Sequence, residues 1–433
     1  MWTKRDQLSL QILHAANTFG RQFLAIPVLV QVVMIFAVSR IVGWALFTVV
    51  GKQETYSPWS STPMDYLRFV SIWDADWYRK IAEVGYPTQL PVDTAGRVKE
   101  NTWAFYPLYP KFVAFWQNLL GGDYFVWAAI VSMLSGFGAA VIIYAVFKAS
   151  VERARAVSGK TTGESSASLA LWSVALFSFA PIAPVLQVAY AEAFNLMFLA
   201  ACLYFLIKKH WFTAVPFAFL ASLSRPVGVP LGACAGILWF IAFMKGLLEQ
   251  PEDHKPNHRW GGALRAHSAQ LISALLICVS ALLWPVIAWM KTGRIDAYTA
   301  TETAWRHSDL FLVQPWFEQS IHYFGLWGPI IFIVLILVFV AFLTSATVRS
   351  VLDSTLLVWC ASYAGYLVLF LNPQSSLFRM LLPLFPLALA LVAFSVSRAY
   401  RFTLLAGGAA LQFGWVGWLW HWKELPTGGD YPP

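Results

Sequence analysis

The chain has 433 residues, of which 58% are hydrophobic and only 12% are charged, and its mean hydropathy is +0.60. These values exclude an ordinary soluble globular protein and predict an all-α, polytopic membrane protein. The formal net charge of +8 follows from positive residues in inner loops and does not indicate nucleic-acid binding.

About eleven transmembrane helices are predicted, because each span needs about 20 apolar residues. The first is the run Phe23–Val50, which is too long for a signal-peptide core and contains Arg40. An arginine inside a span is either functional or snorkels towards an interface. The other predicted spans are Tyr124–Phe147, Leu169–Leu186, Tyr190–Ile207, Trp211–Leu223, Val227–Phe243, Leu271–Met290, Tyr323–Leu343, Ser354–Leu371, Met380–Val396 and Phe402–Trp420.

The distribution of positive residues predicts the orientation of the chain. With the N-terminus inside, the short inner loops hold Arg153, Arg155, Lys208, Lys209, Arg259, Arg265, Arg398 and Arg401. The positive-inside rule then places Ser71–Pro110 outside the membrane, or in the lumen of a eukaryotic compartment. We therefore expect residues 1–433 to form a single transmembrane domain, with 51–122 as a large extracytoplasmic catalytic loop that carries amphipathic helices.

Several kinds of site have no sequence signature here. The chain has no Walker A motif, dinucleotide-binding glycine motif, H-E-x-x-H, nucleophile elbow or C-x-x-C. The D-x-D formed by Asp74 and Asp76 is a short match that leaves a divalent metal open as an alternative to a cofactor-free site. The cysteines all fall in predicted spans and are expected to be small buried apolar residues: Cys202, Cys234, Cys278 and Cys360.

The first outer loop concentrates aromatic and acidic residues in the stretch W-D-A-D-W-Y at 73–78. A helix over Trp73–Val84 aligns Trp73, Trp77 and Ile81 on one stripe. We expect this stripe to rest on the membrane surface, where amphipathic aromatic rings are favoured. Gly85 is expected to end the helix.

The two aspartates of this stretch are expected to have different roles, because they lie about 200° apart on a helix. Asp76 has Arg79 and Lys80 at the three- and four-residue offsets, which favours a solvated ion pair. Asp74 has Tyr78 at the four-residue offset and no cation there. A carboxylate in such apolar surroundings is either costly or useful, so Asp74 is the candidate functional carboxylate.

W-D-A-D-W-Y-R-K-I-A-E-V-G-Y-P, followed by A-F-Y-P-L-Y-P, resembles the PIG-V family of mannosyltransferases and its bacterial relatives. Tyr106 stands where the family's loop motif often has Phe. Ala189–Phe194 is similar to the family's Y-x-E-x-x-F, with the aromatic one residue early. Ser224–Gly228 is similar to its S-R-x-x-G, and Arg379–Pro386 to its R-x-x-x-x-x-F-P. The matches follow the family's order and span 73–386.

The resemblance implies a GT-C glycosyltransferase that transfers mannose, with inversion, from polyprenyl-phosphate-mannose to an extracytoplasmic glycolipid, lipoglycan or protein. It implies a bacterial plasma membrane, or the ER membrane in a eukaryote, with membrane lipids as partners. Asp74 is then the catalytic base, and Arg225 and Arg379 hold the departing phosphate. The remaining residues assigned to substrate binding are Trp73, Asp76, Trp77, Tyr78, Tyr109 and Glu192.

Each assignment has an alternative. Glu192, at the start of a span, could equally be a partner of the helix dipole. Arg225 and Arg379 could anchor their helices at the interface, and the aromatic residues could be interfacial packing. His307 and His322 have no motif and are expected to be solvated. For the whole chain, the alternatives are a transporter or flippase, and a non-catalytic partner subunit.

Overall fold

The computed structural model describes residues 22–23, 25–159, 163–249, 256–306 and 311–424, with side chains described from 259 in the fourth segment. Within these ranges the fold is all-helical, and its β-structure is limited to two isolated bridges, Ser57 with Ser60 and Val92 with Val98. The prediction of an all-α protein is confirmed.

The helices of the described residues fall into three groups by their length and by how apolar they are. Six stretches are long and apolar enough to cross a membrane: Val28–Gly51, Tyr124–Ser158, Gly228–Leu248, Ser268–Thr292, Gln314–Thr344 and Arg398–Trp420. Four apolar helices are shorter: Ser166–Ser178, Glu192–Ile207, Trp211–Ser222 and Ser354–Phe370. The remaining α-helices are Tyr66–Phe69, Asp74–Glu83, Leu108–Leu120, Pro256–Ala266, Ala297–Arg306, Ala346–Arg349, Leu377–Met380 and Pro386–Ala393. The chain is therefore an integral membrane protein, whereas the number of spans stays a prediction.

Two predicted spans are interrupted by proline, which has no N–H to donate within a helix. Leu169–Leu186 is a helix that ends at Ser178 and a 3₁₀ turn at Ala183–Gln187. Met380–Val396 is divided among Leu377–Met380, a 3₁₀ turn at Leu382–Leu384 and Pro386–Ala393.

Arg40 stabilises the first of these interruptions. Its guanidinium donates hydrogen bonds to the carbonyl oxygens of Ala183 at 2.5 Å and Ser178 at 3.1 Å, and the side chain is buried. Backbone carbonyls that lose their helical partner must be satisfied inside a membrane protein. The burial of Arg40 contradicts the snorkelling alternative and gives the side chain a structural role, while a functional role stays a prediction.

The cysteines differ from the prediction at one position. Cys202, Cys234 and Cys360 are buried and free, as expected. Cys278 is also free but is exposed on the surface of helix Ser268–Thr292. The sequence pattern predicted an apolar helix here, and Ser268–Thr292 is long and apolar enough to cross a membrane, but the pattern could not tell which face of the helix packs against the protein.

Candidate active site

The helix that carries Asp74 begins directly after a residue with unusual backbone geometry. This helix, called the loop helix below, runs from Asp74 to Glu83 and not from Trp73 as predicted. Trp73 has φ of 63°, in the left-handed region that costs a non-glycine residue energy. Its indole donates to the carbonyl oxygen of Trp420 at 3.0 Å, so the C-terminal π-helix fixes the start of the loop helix.

The aromatic stripe of the loop helix faces the protein, in contrast to the predicted membrane surface. Trp73 and Ile81 are buried, whereas Val84 beside the stripe is 79% exposed. Trp77 is stacked on Phe105, with ring centroids 5.8 Å apart. The sequence could not reveal this packing because the covering aromatic residues come from other segments of the chain.

Four charged side chains form a continuous series in the protein interior. Arg379 Nη1 lies 2.5 Å from Asp74 Oδ2 and 3.4 Å from Glu192 Oε1, and Arg225 Nη1 lies 2.7 Å from the same Glu192 oxygen. The side chains are 8%, 13%, 3% and 14% exposed for Arg379, Asp74, Glu192 and Arg225. We call these four residues the ionic chain. They come from four distant segments, and the alternating charges compensate one another out of bulk water.

The ionic chain keeps unused hydrogen-bonding capacity. Among the described residues, Arg379 Nε and Glu192 Oε2 are buried atoms without a hydrogen-bond partner. Arg225 Nη2 lies 3.2 Å from the sulfur of Met380, which is a weak acceptor. A guanidinium has five N–H donors, and both arginines have donors available for a further anion.

Glu192 and Arg225 are held by the ends of neighbouring helices. Glu192 is the first residue of helix Glu192–Ile207, where its charge complements the helix dipole, as one of the two interpretations predicted; its role in substrate binding stays a prediction. Three residues later in the same helix, Asn195 donates to the carbonyl oxygen of Ala221 at 2.8 Å and to Ser224 Oγ at 3.1 Å. These bonds fix the turn that presents Arg225.

The glycine of the S-R-x-x-G motif, Gly228, has a steric reason. A Cβ atom added to Gly228 would lie 2.7 Å from Ala281 Cα and 2.7 Å from Ser222 Oγ. Real Cβ atoms do not approach backbone carbon so closely, so glycine permits helix Ser268–Thr292 to pack directly on this turn. The glycine therefore contributes to the position of Arg225 without contacting the ionic chain.

Two tyrosines, Tyr190 and Tyr78, lie beside the ionic chain. The backbone N–H of Asp74 donates to the hydroxyl of Tyr190 at 3.0 Å, and the guanidinium of Arg379 lies 5.3 Å from the centre of the Tyr190 ring. Tyr78 is buried beside the cavity, and this burial raises its pKa above the ordinary value. The Tyr78 hydroxyl therefore stays protonated at neutral pH and can act as a hydrogen-bond donor.

The ionic chain lines a cavity of about 250 Å³. Its other wall includes helix Ala297–Arg306, called the cavity helix below. From this helix come Tyr298, Glu302, Trp305 and Arg306. The cavity therefore combines three carboxylates and three arginines with aromatic side chains, which suits a polar, partly anionic ligand that also has an apolar face.

Five of the predicted site residues line the cavity: Asp74, Tyr78, Glu192, Arg225 and Arg379. The other four lie outside its lining. Trp73 and Trp77 pack in aromatic clusters, and the hydroxyl of Tyr109 donates to the carbonyl oxygen of Ala128 at 3.0 Å. Asp76 accepts a hydrogen bond from Trp59 at 2.6 Å and pairs with Arg79 at 3.3 Å at the surface. This is the solvated ion pair that its neighbours predicted.

The side chains of the D-x-D pair point to different partners. Asp74 contacts Arg379, and Asp76 contacts Trp59 and Arg79. In the described part of the chain, no group of three or more His, Cys, Asp or Glu side chains has the arrangement of a metal site. The two carboxylates therefore do not converge on a shared position here, and the divalent-metal alternative stays a prediction.

The sequence analysis missed the cavity helix. Y-T-A-T-E-T-A-W-R places Tyr298, Glu302, Trp305 and Arg306 on one stripe at helical spacing. This amphipathic pattern was the available signal, although nothing in it indicated which segment the stripe faces. Of the two histidines expected to be solvated, His322 is exposed, and His307 lies outside the described residues.

Comparisons with protein-family models and with curated proteins give no match. Among solved structures, the chain is similar to ArnT from Cupriavidus metallidurans bound to undecaprenyl phosphate, with 14% identity and a TM-score of 0.46 over 88% of this chain and 63% of that one. It is also similar to the Archaeoglobus fulgidus oligosaccharyltransferase tethered to an acceptor peptide by a disulfide bond, with 10% identity and a TM-score of 0.42 over 92% and 56%.

A further similar structure is that oligosaccharyltransferase in complex with zinc and sulfate, with 11% identity and a TM-score of 0.42 over 88% and 53% of the two chains. This chain thus spans between about half and two thirds of the length of these solved chains. Membership of the PIG-V family stays a prediction from the sequence motifs.

Proposed function

We propose that the chain is a membrane glycosyltransferase of the GT-C class that takes a sugar from a polyprenyl-phosphate donor and transfers it to an extracytoplasmic acceptor. The observation that supports this function best is the ionic chain, because it brings a carboxylate and two arginines together at one cavity. Transfer with inversion needs a base for the acceptor hydroxyl and cations for the departing phosphate.

In the proposed reaction, the acceptor oxygen attacks the anomeric carbon of the donor sugar. The bond between that carbon and the phosphate oxygen breaks, the hydroxyl proton passes to the carboxylate of Asp74, and the polyprenyl phosphate leaves with the bonding electrons. Arg225 and Arg379 stabilise the charge that develops on the phosphate, since a guanidinium offers paired donors to phosphate oxygens.

In the structure, the proposed base Asp74 forms a salt bridge with Arg379. Arg379 Nη1 lies 2.5 Å from Asp74 Oδ2 and so occupies one of the oxygens that would receive the acceptor proton. The phosphate of a bound donor competes with Asp74 for the Arg379 donors. Donor binding and activation of the base are therefore coupled in this proposal.

A lipid-linked donor suits the expected location of the site. The positive-inside rule predicts that Ser71–Pro110 lies outside, where cytosolic nucleotide sugars are not accessible. The motif resemblance favours mannose as the sugar, and a glycolipid, lipoglycan or protein as the acceptor. A bacterial plasma membrane is the proposed location, or the ER membrane in a eukaryote.

The test compares Asp74→Asn with Asp76→Asn in membranes that contain the chain, with radiolabelled polyprenyl-phosphate-mannose as donor. We expect the wild type to release polyprenyl phosphate and to label a membrane acceptor, Asp74→Asn to lose both signals, and Asp76→Asn to keep most of its activity. Asp76 is the matched control because its carboxylate lies two residues away but outside the cavity lining.

The same assay separates the proposal from its competitors. A transporter or flippase would move the intact donor without breaking the glycosyl–phosphate bond. A chain that releases no polyprenyl phosphate under any condition, or an Asp74→Asn variant with full activity, would contradict the proposed function.

A further inference from the structure

Glu302 is the carboxylate of the cavity that does not belong to the ionic chain. It lies in the middle of the cavity helix, is half-buried, and lines the same cavity as Asp74 and Arg379. Because it lies on the second wall of the cavity, it can contact a different part of a bound ligand from the ionic chain. The mechanism proposed above makes no use of it.

The cavity helix is fixed firmly enough to aim this side chain. Asn101 Nδ2 donates to Thr301 Oγ1 at 3.0 Å, and Trp305 Nε1 donates to the carbonyl oxygen of Asn101 at 3.3 Å. The hydroxyls of Tyr106 and Tyr298 are 2.9 Å apart. The motif-bearing loop thus holds the helix through these three side chains of the helix, and the stripe that carries Glu302 lines the cavity.

The surroundings of Glu302 leave acceptor capacity unused. An ionised carboxylate can accept about four hydrogen bonds, and Tyr298 is its hydrogen-bonding neighbour. Within the described ranges, no salt bridge reaches Glu302. Trp305, about one turn further along the helix, packs against Trp77 and Phe105 and also lines the cavity.

This combination is suited to a sugar ring. A carboxylate accepts hydrogen bonds from vicinal hydroxyl groups, and an aromatic side chain covers the apolar face of the ring. The ionic chain is the better site for the phosphate, because both of its arginines carry available donors. The hydroxyl groups of the sugar attached to that phosphate must then meet another part of the cavity wall.

We propose that Glu302 binds hydroxyl groups of the sugar that is transferred, and that it thereby selects the donor sugar. This inference rests on the proposed function, because it takes the ionic chain as the phosphate site. The cavity then contains a sugar subsite formed by Glu302 and Trp305, in which Glu302 determines specificity.

The electrostatic setting of Glu302 agrees with this role. Burial raises the pKa of Glu302, while Arg306, Tyr298 and Arg225 oppose this effect. The other titratable side chains that interact with it are those of Tyr106 and Tyr366. A partly desolvated carboxylate forms stronger hydrogen bonds with sugar hydroxyls than one in bulk water.

The test measures binding of two small probes to the purified, detergent-solubilised chain by isothermal titration calorimetry. The probes are mannose 1-phosphate and inorganic phosphate. The variant is Glu302→Gln, and the control is Glu318→Gln, because Glu318 is an exposed acid in a nearby helix that bonds Gln314 at 2.7 Å and does not line the cavity.

We expect the wild type to bind mannose 1-phosphate more tightly than phosphate. Glu302→Gln should weaken mannose 1-phosphate binding by about tenfold or more, since a hydrogen bond to a charged group is lost. Its affinity for inorganic phosphate should stay within about twofold of the wild type. Glu318→Gln should change neither affinity.

Three results would overturn the inference in distinguishable ways. If Glu302→Gln binds mannose 1-phosphate like the wild type, or loses affinity equally for both probes, Glu302 does not bind the sugar selectively. If the wild type binds phosphate but gains nothing from the sugar, the sugar subsite alone fails. If the wild type binds neither probe, the phosphate site fails, and the proposed function fails with it.

Discussion

The salt bridge between Arg379 and Asp74 makes a quantitative prediction about stability. In Arg379→Gln, Glu192 keeps Arg225 at 2.7 Å, whereas Asp74 loses its 2.5 Å partner. The main cost is therefore one uncompensated carboxylate that is only 13% exposed. Breaking a buried ion pair costs about 3–5 kcal/mol, and the residual exposure of Asp74 favours the lower limit, about 3 kcal/mol.

A double-mutant cycle isolates the pairwise contribution. Asp74→Asn removes the charge that Arg379→Gln leaves unpaired, so the double variant should be less destabilised than the sum of the single variants. We expect a coupling free energy of about 2 kcal/mol, because residues in direct contact couple by 0.5–3 kcal/mol. The assay is equilibrium unfolding in mixed detergent micelles, followed by tryptophan fluorescence.

The chain provides a matched control pair nearby. Arg79 and Asp76 are 3.3 Å apart but 45% and 38% exposed, so solvent screens their interaction. Arg79→Gln should change the free energy of unfolding by less than about 0.5 kcal/mol. If the four species of the Asp74–Arg379 cycle give additive free energies to within about 0.5 kcal/mol, the two residues are not energetically coupled and the reasoning is refuted.

Three further predictions concern other parts of the chain. A cysteine placed in Asp93–Lys99 should react with an impermeant thiol reagent from outside and one in 158–166 should not; the reverse pattern would invert the site's orientation. Arg40→Leu should lower the thermal midpoint, because it leaves the Ser178 carbonyl without this donor, yet keep phosphate affinity; an unchanged midpoint would contradict the structural role. Burial raises the pKa of Glu302 above the ordinary value of a glutamate, so its carboxylate is protonated at a higher pH than an exposed glutamate. Sugar-dependent binding should therefore weaken as the pH falls towards this raised pKa in the wild type but not in Glu302→Gln; identical pH profiles would contradict this.

The local part of the site could be predicted from the sequence. Asp74 was separated from Asp76 by helical geometry and by the cations near Asp76, and the structure places Asp74 in the cavity lining and Asp76 outside it. Arg225 and Arg379 could be identified through the short motifs S-R-x-x-G and R-x-x-x-x-x-F-P of the family resemblance. These inferences use residues within one or two helical turns of one another.

The pairing of these residues could not be predicted, because it depends on contacts between distant segments. Asp74 and Arg379 are 305 positions apart in the sequence, and no local pattern specifies that distance. Glu302 was missed for the same reason, since its helix is unremarkable until the loop around Asn101 is packed against it. The aromatic stripe of the loop helix has the amphipathic pattern of a membrane-surface helix, and only its tertiary partners show that it faces inward.

The composition of the ionic chain also explains how the total charge can stay constant during the proposed transfer in a cavity lined by largely buried charged side chains. At rest, the two arginines offset Asp74 and Glu192. A bound phosphodiester donor adds one negative charge, and its cleavage to a phosphate monoester adds a second. The acceptor proton that passes to Asp74 removes a negative charge in the same step, so the total charge of the cavity does not change during transfer. An interior of low polarity penalises uncompensated charge heavily. In the proposed function, a base placed within the ionic chain therefore lowers the barrier by offsetting the charge that develops on the phosphate, which is a physical reason for Asp74 to pair with Arg379.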